Sequence, residues 1–171
     1  MSGRLQLIAI VLISVLSLGG SYLMFFVAKG GSGWGTTNNG EFVIPAVNVT
    51  DFGWQPTDAT EKVKPQMWWL WVRAEQCREV CAEALKNLRA THILMNREME
   101  RVQRALTTEL AAAMPANQPN LVSIAWAAGM PGEGIYIIDP LGNLVFRYAI
   151  TTDPELVLKD LKRLLKVSQI G

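Results

Sequence analysis

The chain has 171 residues, 50% of them hydrophobic, with 16 Lys and Arg against 15 Asp and Glu and a net charge of +1. Once one long apolar segment is set aside, that length holds a single compact domain rather than two. The near balance of charge, without a basic run, excludes the electrostatic footprint of a nucleic-acid binder.

Residues 7–28, LIAIVLISVLSLGGSYLMFFVA, form a run of 22 residues without a charge, long enough at about 1.5 Å per residue to span a bilayer. The run enters Lys29 behind Phe25, Phe26 and Val27 instead of a small-residue cleavage site, so residues 1–29 are expected to be an uncleaved transmembrane anchor. Arg4 on one side and Lys29 on the other leave its orientation undecided by charge. GGSGWGTTNNG then predicts a flexible glycine-rich linker over residues 30–41, with one domain filling 42–171.

Within that domain, strand and helix patterns alternate, which predicts a layered α/β or α+β architecture. EFVIPAVNV is a weak strand broken by Pro45, and the stretch TDFGWQPTDATEKVKP reads as loop. Residues 66–72, QMWWLWV, form a buried strand; Trp68, Trp69 and Trp71 cannot all face one side of it, so it is expected to be covered on both. From Arg78 the stretch REVCAEALKNLRATHILM is helical, with Cys81, Leu85, Leu88, His92 and Met95 recurring on one face. Residues 102–106 are a short strand candidate, ELAAAMPANQPN is an alanine-rich turn, and LVSIAWA reads as another central strand. GIYIIDPLGNLVFRYAI is the clearest hairpin, alternating on both sides of a turn built by Asp139, Pro140 and Gly142. A last helix opens at TTDPE, with either Thr152 and Glu155 as a capping box or Asp153 as cap before Pro154, and Leu158, Leu161, Leu164 and Leu165 as its buried stripe.

Cys77 and Cys81, the only cysteines, follow the tryptophan strand and bracket the predicted helix start. Three intervening residues allow an intramolecular disulfide or two thiolates on one soft metal ion. Unpaired amides at the helix start favour the thiolate form, so a reactive pair is expected over two inert core thiols. The thiol pair and the tether together favour an exported domain. Arg73, Glu75, Arg78 and Glu79 surround the pair, either tuning it or lying as solvated loop charges. No GxGxxG, P-loop, HExxH or nucleophile elbow is present.

The order strand, cysteine pair, helix, strand, hairpin and closing helix is that of a thioredoxin-like fold: a central sheet flanked by helices, here behind a single N-terminal transmembrane helix. CREVC and IYIIDPLGNLVFRY, with the ending ITTDPELVLKDLKRLLKVSQIG, resemble the Sco/SenC family of membrane-anchored cytochrome c oxidase assembly proteins over about residues 60–171. The resemblance implies a domain in the bacterial periplasm on an inner-membrane anchor, with an oxidase subunit or another assembly factor as partner. It also implies either copper delivery or thiol reduction at the oxidase copper site.

One departure shifts that balance. Copper-binding members of the family carry a histidine eight residues before the aspartate of the hairpin turn, and here that position is Pro131. The only histidine, His92, is eleven residues past Cys81, about 16 Å along a continuous helix, too far to share an ion with it. It is expected to be a hydrogen-bonded, partly buried helix residue. Met130 is the remaining candidate for a third Cu(I) ligand beside Cys77 and Cys81. Pro131 suggests instead the cis-proline that lies beside the cysteines of thioredoxin-like redox proteins, though about two residues further from Asp139 than usual. Thiol-disulfide exchange at Cys77 and Cys81 is therefore the expected function, with a Cu(I) chaperone or a non-catalytic assembly scaffold as alternatives.

Overall fold

The computed structural model describes residues 3–30, 37–57, 66–110 and 118–168. The expected tether over 30–41 lies partly outside these residues, as do residues 58–65 of the loop before the tryptophan strand and residues 111–117 of the alanine-rich turn. Contacts divide the chain into two compact units, Met1–Thr37 and Asn38–Gly171. The first holds α1 (Gly3–Gly30), whose stretch Gly3–Val27 has a mean hydropathy of 2.2, so it is long and apolar enough to cross a membrane once.

The second unit is one six-stranded mixed sheet with helices against it. Its strands are β1 (Glu41–Phe42), β2 (Trp68–Ala74), β3 (Val102–Thr108), β4 (Leu121–Ser123), β5 (Gly134–Ile138) and β6 (Leu144–Tyr148), in the spatial order β1-β6-β5-β2-β3-β4. The helices are α2 (Glu79–Leu94) and α3 (Pro154–Val167). Parallel neighbours β2 and β3 require a crossover, and α2 supplies it. On its other side β2 pairs antiparallel with β5, so it lies between a parallel and an antiparallel neighbour.

All seven residues of β2 are buried, and the pleat sends them alternately into two cores. Trp68, Leu70, Val72 and Ala74 join Cys81, Leu85 and Leu88 of α2 and Val157, Leu161 and Leu165 of α3. Trp69 and Trp71 point the other way, into a cluster with Phe52, Tyr136 and Ile138, which Trp54 covers. Trp71 is the centre of that cluster: its ring lies 5.8 Å from Phe52, 5.0 Å from Trp54 and 5.1 Å from Tyr136, and its indole N–H donates to Thr107 Oγ1 at 3.0 Å. The tryptophans therefore serve both faces of a doubly covered strand.

The hairpin forms as its turn chemistry dictates. Asp139 Oδ1 accepts from the amides of Leu141 and Asn143, and Oδ2 from the Asn143 side chain, which fixes the reversal. Gly142 sits at φ 88°, and a Cβ there would come within 2.7 Å of Val49 Cγ2, so only glycine fits.

Two sequence expectations need correction. LVSIAWA is not a central strand: β4 covers only its first three residues and ends the sheet beside β3. It reads as central because the segment before β2 shields its free edge, with Thr57 N–H donating to Ser123 O at 2.8 Å and Ala125 N–H to Gln55 O at 2.9 Å. The stripe of α3 also differs. Val157, Asp160, Leu161 and Leu165 are its buried residues, while Leu158 and Leu164 pack only in part. Of the two caps foreseen, the structure takes Asp153, which accepts from Glu155 N–H with Pro154 in the first turn.

Asp160 is 1% exposed and is satisfied by four donors. Its carboxylate accepts from the amides of Asn39 and Gly40 at 2.6 and 2.9 Å, from Asn39 Nδ2 at 2.9 Å and from the Tyr148 hydroxyl at 2.9 Å. Burial, reinforced by the adjacent carboxylate, holds the Tyr148 phenol far above its ordinary range. This carboxylate thus fastens the start of the domain to α3 and β6. Asp160→Ala is expected to destabilise the detergent-solubilised chain by about 2–3 kcal/mol in chemical denaturation, and Tyr148→Phe by only about 1 kcal/mol. Equal losses in the two variants would mean that the contacts to Asn39 and Gly40 contribute nothing.

Candidate functional site

β2 ends at Ala74 and α2 begins at Glu79, so the connecting residues 75–78 emerge from the middle of the sheet. The loop is clamped at its base. Glu75 N–H donates to Glu133 Oε1 at 2.5 Å, and Glu75 C=O accepts from Leu110 N–H at 3.0 Å, tying it to the segments that precede β5 and follow β3. Arg73, just inside the strand, is 8% exposed and pairs with Glu109 at 3.4 Å.

Cys77 lies in this loop and Cys81 at the third position of α2, and they form a disulfide with Cα atoms 4.9 Å apart. The two sulfurs are not equivalent. Cys81 is 3% exposed within the core shared by α2 and β2, whereas Cys77 is only partly buried at the edge of the same core. Arg78 occupies the N-cap of α2 without a side-chain cap hydrogen bond. No cap side chain therefore takes up the backbone amides of the first turn, and the helix start favours a sulfur anion beside it.

The other residues singled out in the sequence fall elsewhere. Arg78 and Glu79 are exposed charges flanking the disulfide, Glu75 presents its side chain to solvent, and Arg73 is directed to Glu109. His92 Nε2 lies 2.9 Å from Met99 O and 2.8 Å from Val102 O, so the ring links the end of α2 to the start of β3. Burial lowers its pKa below 6.5, against the two carbonyls, which raise it. Met130 packs with the Trp69 and Trp71 cluster, across the sheet from the core that holds Cys81. Pro131 is not cis; the one cis peptide among the described residues is Ile44–Pro45.

Sequence reasoning missed Glu133 and Asp160. Nothing in the local pattern announces Glu133, whose contact spans 58 residues. Asp160 did leave a signal: it occupies the apolar side of α3, three residues after Val157 and one before Leu161, where an unpaired carboxylate would be costly.

A family model described as a transmembrane-like, thioredoxin-like C-terminal domain matches residues 68–168. The chain belongs to this family. Its fold is also that of solved Sco proteins. The solution structures of apo Sco1 from Thermus thermophilus match with 14% identity and a TM-score of 0.50, covering 78% of this chain and 99% of that one. A copper-bound ScoI from Bradyrhizobium japonicum matches with 18% identity and a TM-score of 0.43, covering 58% and 85%. BsSco, a member of the Sco family of cytochrome c oxidase assembly proteins, matches with 11% identity and a TM-score of 0.49, covering 77% and 98%. No curated protein matches the chain in sequence.

The donor set does not fit a three-ligand copper site. Among the described residues no three His, Cys, Asp or Glu side chains converge, His92 is engaged by two backbone carbonyls, and Met130 packs into the opposite cluster. Two sulfurs remain. Nitrogen ligands, which Cu(II) favours, are missing beside them.

The lowered pKa of His92 sets a pH dependence. The unfolded chain takes up the proton more readily than the folded one, so this contribution to stability is complete above pH 6.5 and is lost as the pH falls below it. Melts of the detergent-solubilised chain between about pH 7.5 and 5.5 are expected to show falling stability that His92→Gln flattens. An unchanged slope in that variant would assign the acid sensitivity to other groups.

Proposed function

We propose that this protein is a thiol-disulfide exchange factor, anchored in the bacterial inner membrane with its domain in the periplasm, and that it serves cytochrome c oxidase assembly. The observation that carries the chemistry is the Cys77–Cys81 disulfide, with one cysteine only partly buried and the other enclosed at the start of α2. The resemblance of CREVC and IYIIDPLGNLVFRY to the Sco/SenC family supports the oxidase, and α1 supports the anchor.

The asymmetry of the sulfurs divides the labour. A partner thiolate attacks Cys77 Sγ, the accessible end; a bond forms between the two sulfurs, and the Cys77–Cys81 bond breaks with its electron pair leaving on Cys81 Sγ. The uncapped first turn of α2 receives that anion. A second partner thiolate then attacks the partner's own sulfur in the mixed disulfide, releasing Cys77 as thiolate. Two electrons have passed to the protein and the partner has gained a disulfide. Run in reverse, the same steps have Cys77 attack a partner disulfide and Cys81 resolve the intermediate.

Replacing the resolving sulfur should arrest the cycle. Cys81→Ser is expected to accumulate partner adducts through Cys77, visible as thiol-sensitive bands on non-reducing gels, while the double serine variant traps none and lowers oxidase activity. Normal oxidase activity in the double variant, with no adduct in the single one, would leave a non-catalytic scaffold.

Metal loading separates the copper alternative. The reduced full-length chain is expected to bind negligible Cu(II), because two thiolates without imidazole form a poor site for it. Stoichiometric Cu(II) uptake, abolished by either serine substitution, would favour a copper chaperone instead.

A further inference from the structure

Beside the disulfide, between α2 and the segment joining β6 to α3, lies an open groove of 390 Å³. Two of its residues, Glu79 and Val80, sit inside the short loop that the disulfide closes. Its apolar surface comes from Val80, Ile150 and Pro154, and Val80 is 56% exposed, an unusual setting for a branched apolar side chain on the first turn of a helix. Among the described residues its charged lining is Glu79, Glu83 and Asp153, with no lysine, arginine or histidine. Glu83 has a partner in Lys86 at 3.4 Å, but both side chains are largely exposed, so the pair is weak and readily exchanged. Asp153 keeps one oxygen on the Glu155 amide and has the other to offer.

We propose that this groove receives a basic and apolar stretch of the partner polypeptide, flanking the cysteine that exchanges with Cys77. The proposal rests on the thiol-disulfide reading above and names the chemistry of its partner. Lysine or arginine side chains would lay their methylenes on Val80, Ile150 and Pro154 and bring their charges to Glu79, Glu83 and Asp153. Glu79 and Val80 line the groove and lie in the chain between the two bonded cysteines, so a segment seated there brings its own cysteine to the disulfide. Exchange then proceeds within a bound pair instead of between free thiols, which raises its rate without altering either sulfur. The acidic rim repels acidic competitors, so it selects among thiols by charge.

The test uses the oxidised full-length chain in an uncharged detergent and two short synthetic peptides. Each has one cysteine followed by alternating charged and valine residues, with lysine in one peptide and glutamate in the other. At low salt the lysine peptide is expected to reduce the disulfide about tenfold faster, with the ratio shrinking as salt rises. The double variant Glu79→Gln, Glu83→Gln should bring the ratio close to one. The ratio within each variant is the readout, because it cancels any change in the intrinsic reactivity of the sulfurs. β-Mercaptoethanol, which is uncharged, reports that reactivity separately. If it reduces the disulfide while both peptides react equally in the wild-type chain, the groove proposal is overturned and the exchange reading stands. If no thiol reduces the disulfide, the exchange reading fails, and peptides with serine in place of cysteine decide the groove by fluorescence anisotropy. Tighter binding of the lysine peptide then supports the acidic groove, and equal binding overturns it.

Discussion

The double burial of β2 is the constraint on which the domain depends. A strand with tryptophan or a branched side chain on both faces is stable only when both faces are covered, and the two covers are of different kinds. One side takes α2 and α3 in ordinary helix-on-sheet packing. The other is closed by a short 3-10 turn, Val49–Phe52, and by Trp54 just after it, whose rings substitute for a second helical layer. Because β2 also has a parallel neighbour on one edge and an antiparallel one on the other, the chain leaving its end emerges where segments from β3 and β5 converge. Glu109, Leu110 and Glu133 come from those two segments, and together they hold Arg73 and Glu75. The cysteine loop is therefore anchored by long-range contacts while its tip stays accessible.

What was legible in the sequence was what short-range physics decides. The tryptophan run reads as a doubly covered strand, because the pleat cannot put Trp68, Trp69 and Trp71 on one face. Asp139, Pro140 and Gly142 wrote the hairpin into a few adjacent residues, and the same kind of local rule narrowed the cap of α3 to Thr152 or Asp153. Illegible were features set by partners distant in the chain. β4 reads as a central strand because its burial is real; the strand order puts it at the end of the sheet, with residues 55–57 covering its free edge. Counting from Asp139 puts Met130 near the cysteines in sequence terms, yet its side chain packs on the aromatic cluster. Counting fixes position along a strand's approach. It does not fix the face a loop side chain chooses.

Asp160 shows the same division in another form. A carboxylate on the apolar side of a helix is improbable unless donors meet it, so its presence predicts a partner without naming one. Three of its four donors come from Asn39 and Gly40, 120 residues or more away, and no local pattern could supply them. Gly40 is part of the answer: a Cβ there would lie 2.5 Å from the Tyr148 ring, so the close approach of this backbone to the carboxylate depends on glycine. The domain is thus closed at its start by one buried charge and at its centre by one buried strand.

The disulfide itself contributes little to that architecture. Closing so short a loop removes only about 2 kcal/mol of unfolded-state entropy on the chain-entropy account, comparable with one buried hydrogen-bonded carboxylate. The loop is also held without it, by the Glu75 clamps and by the burial of Cys81 against Leu85 and Leu88. A bond whose loss leaves its own loop anchored can open and close without unfolding the domain. The two cysteines also differ in burial, with Cys81 enclosed at the helix start and Cys77, at the edge of the core, the better target. A purely structural staple gains nothing from that asymmetry; a sulfur pair that must be attacked at one end and released at the other requires it.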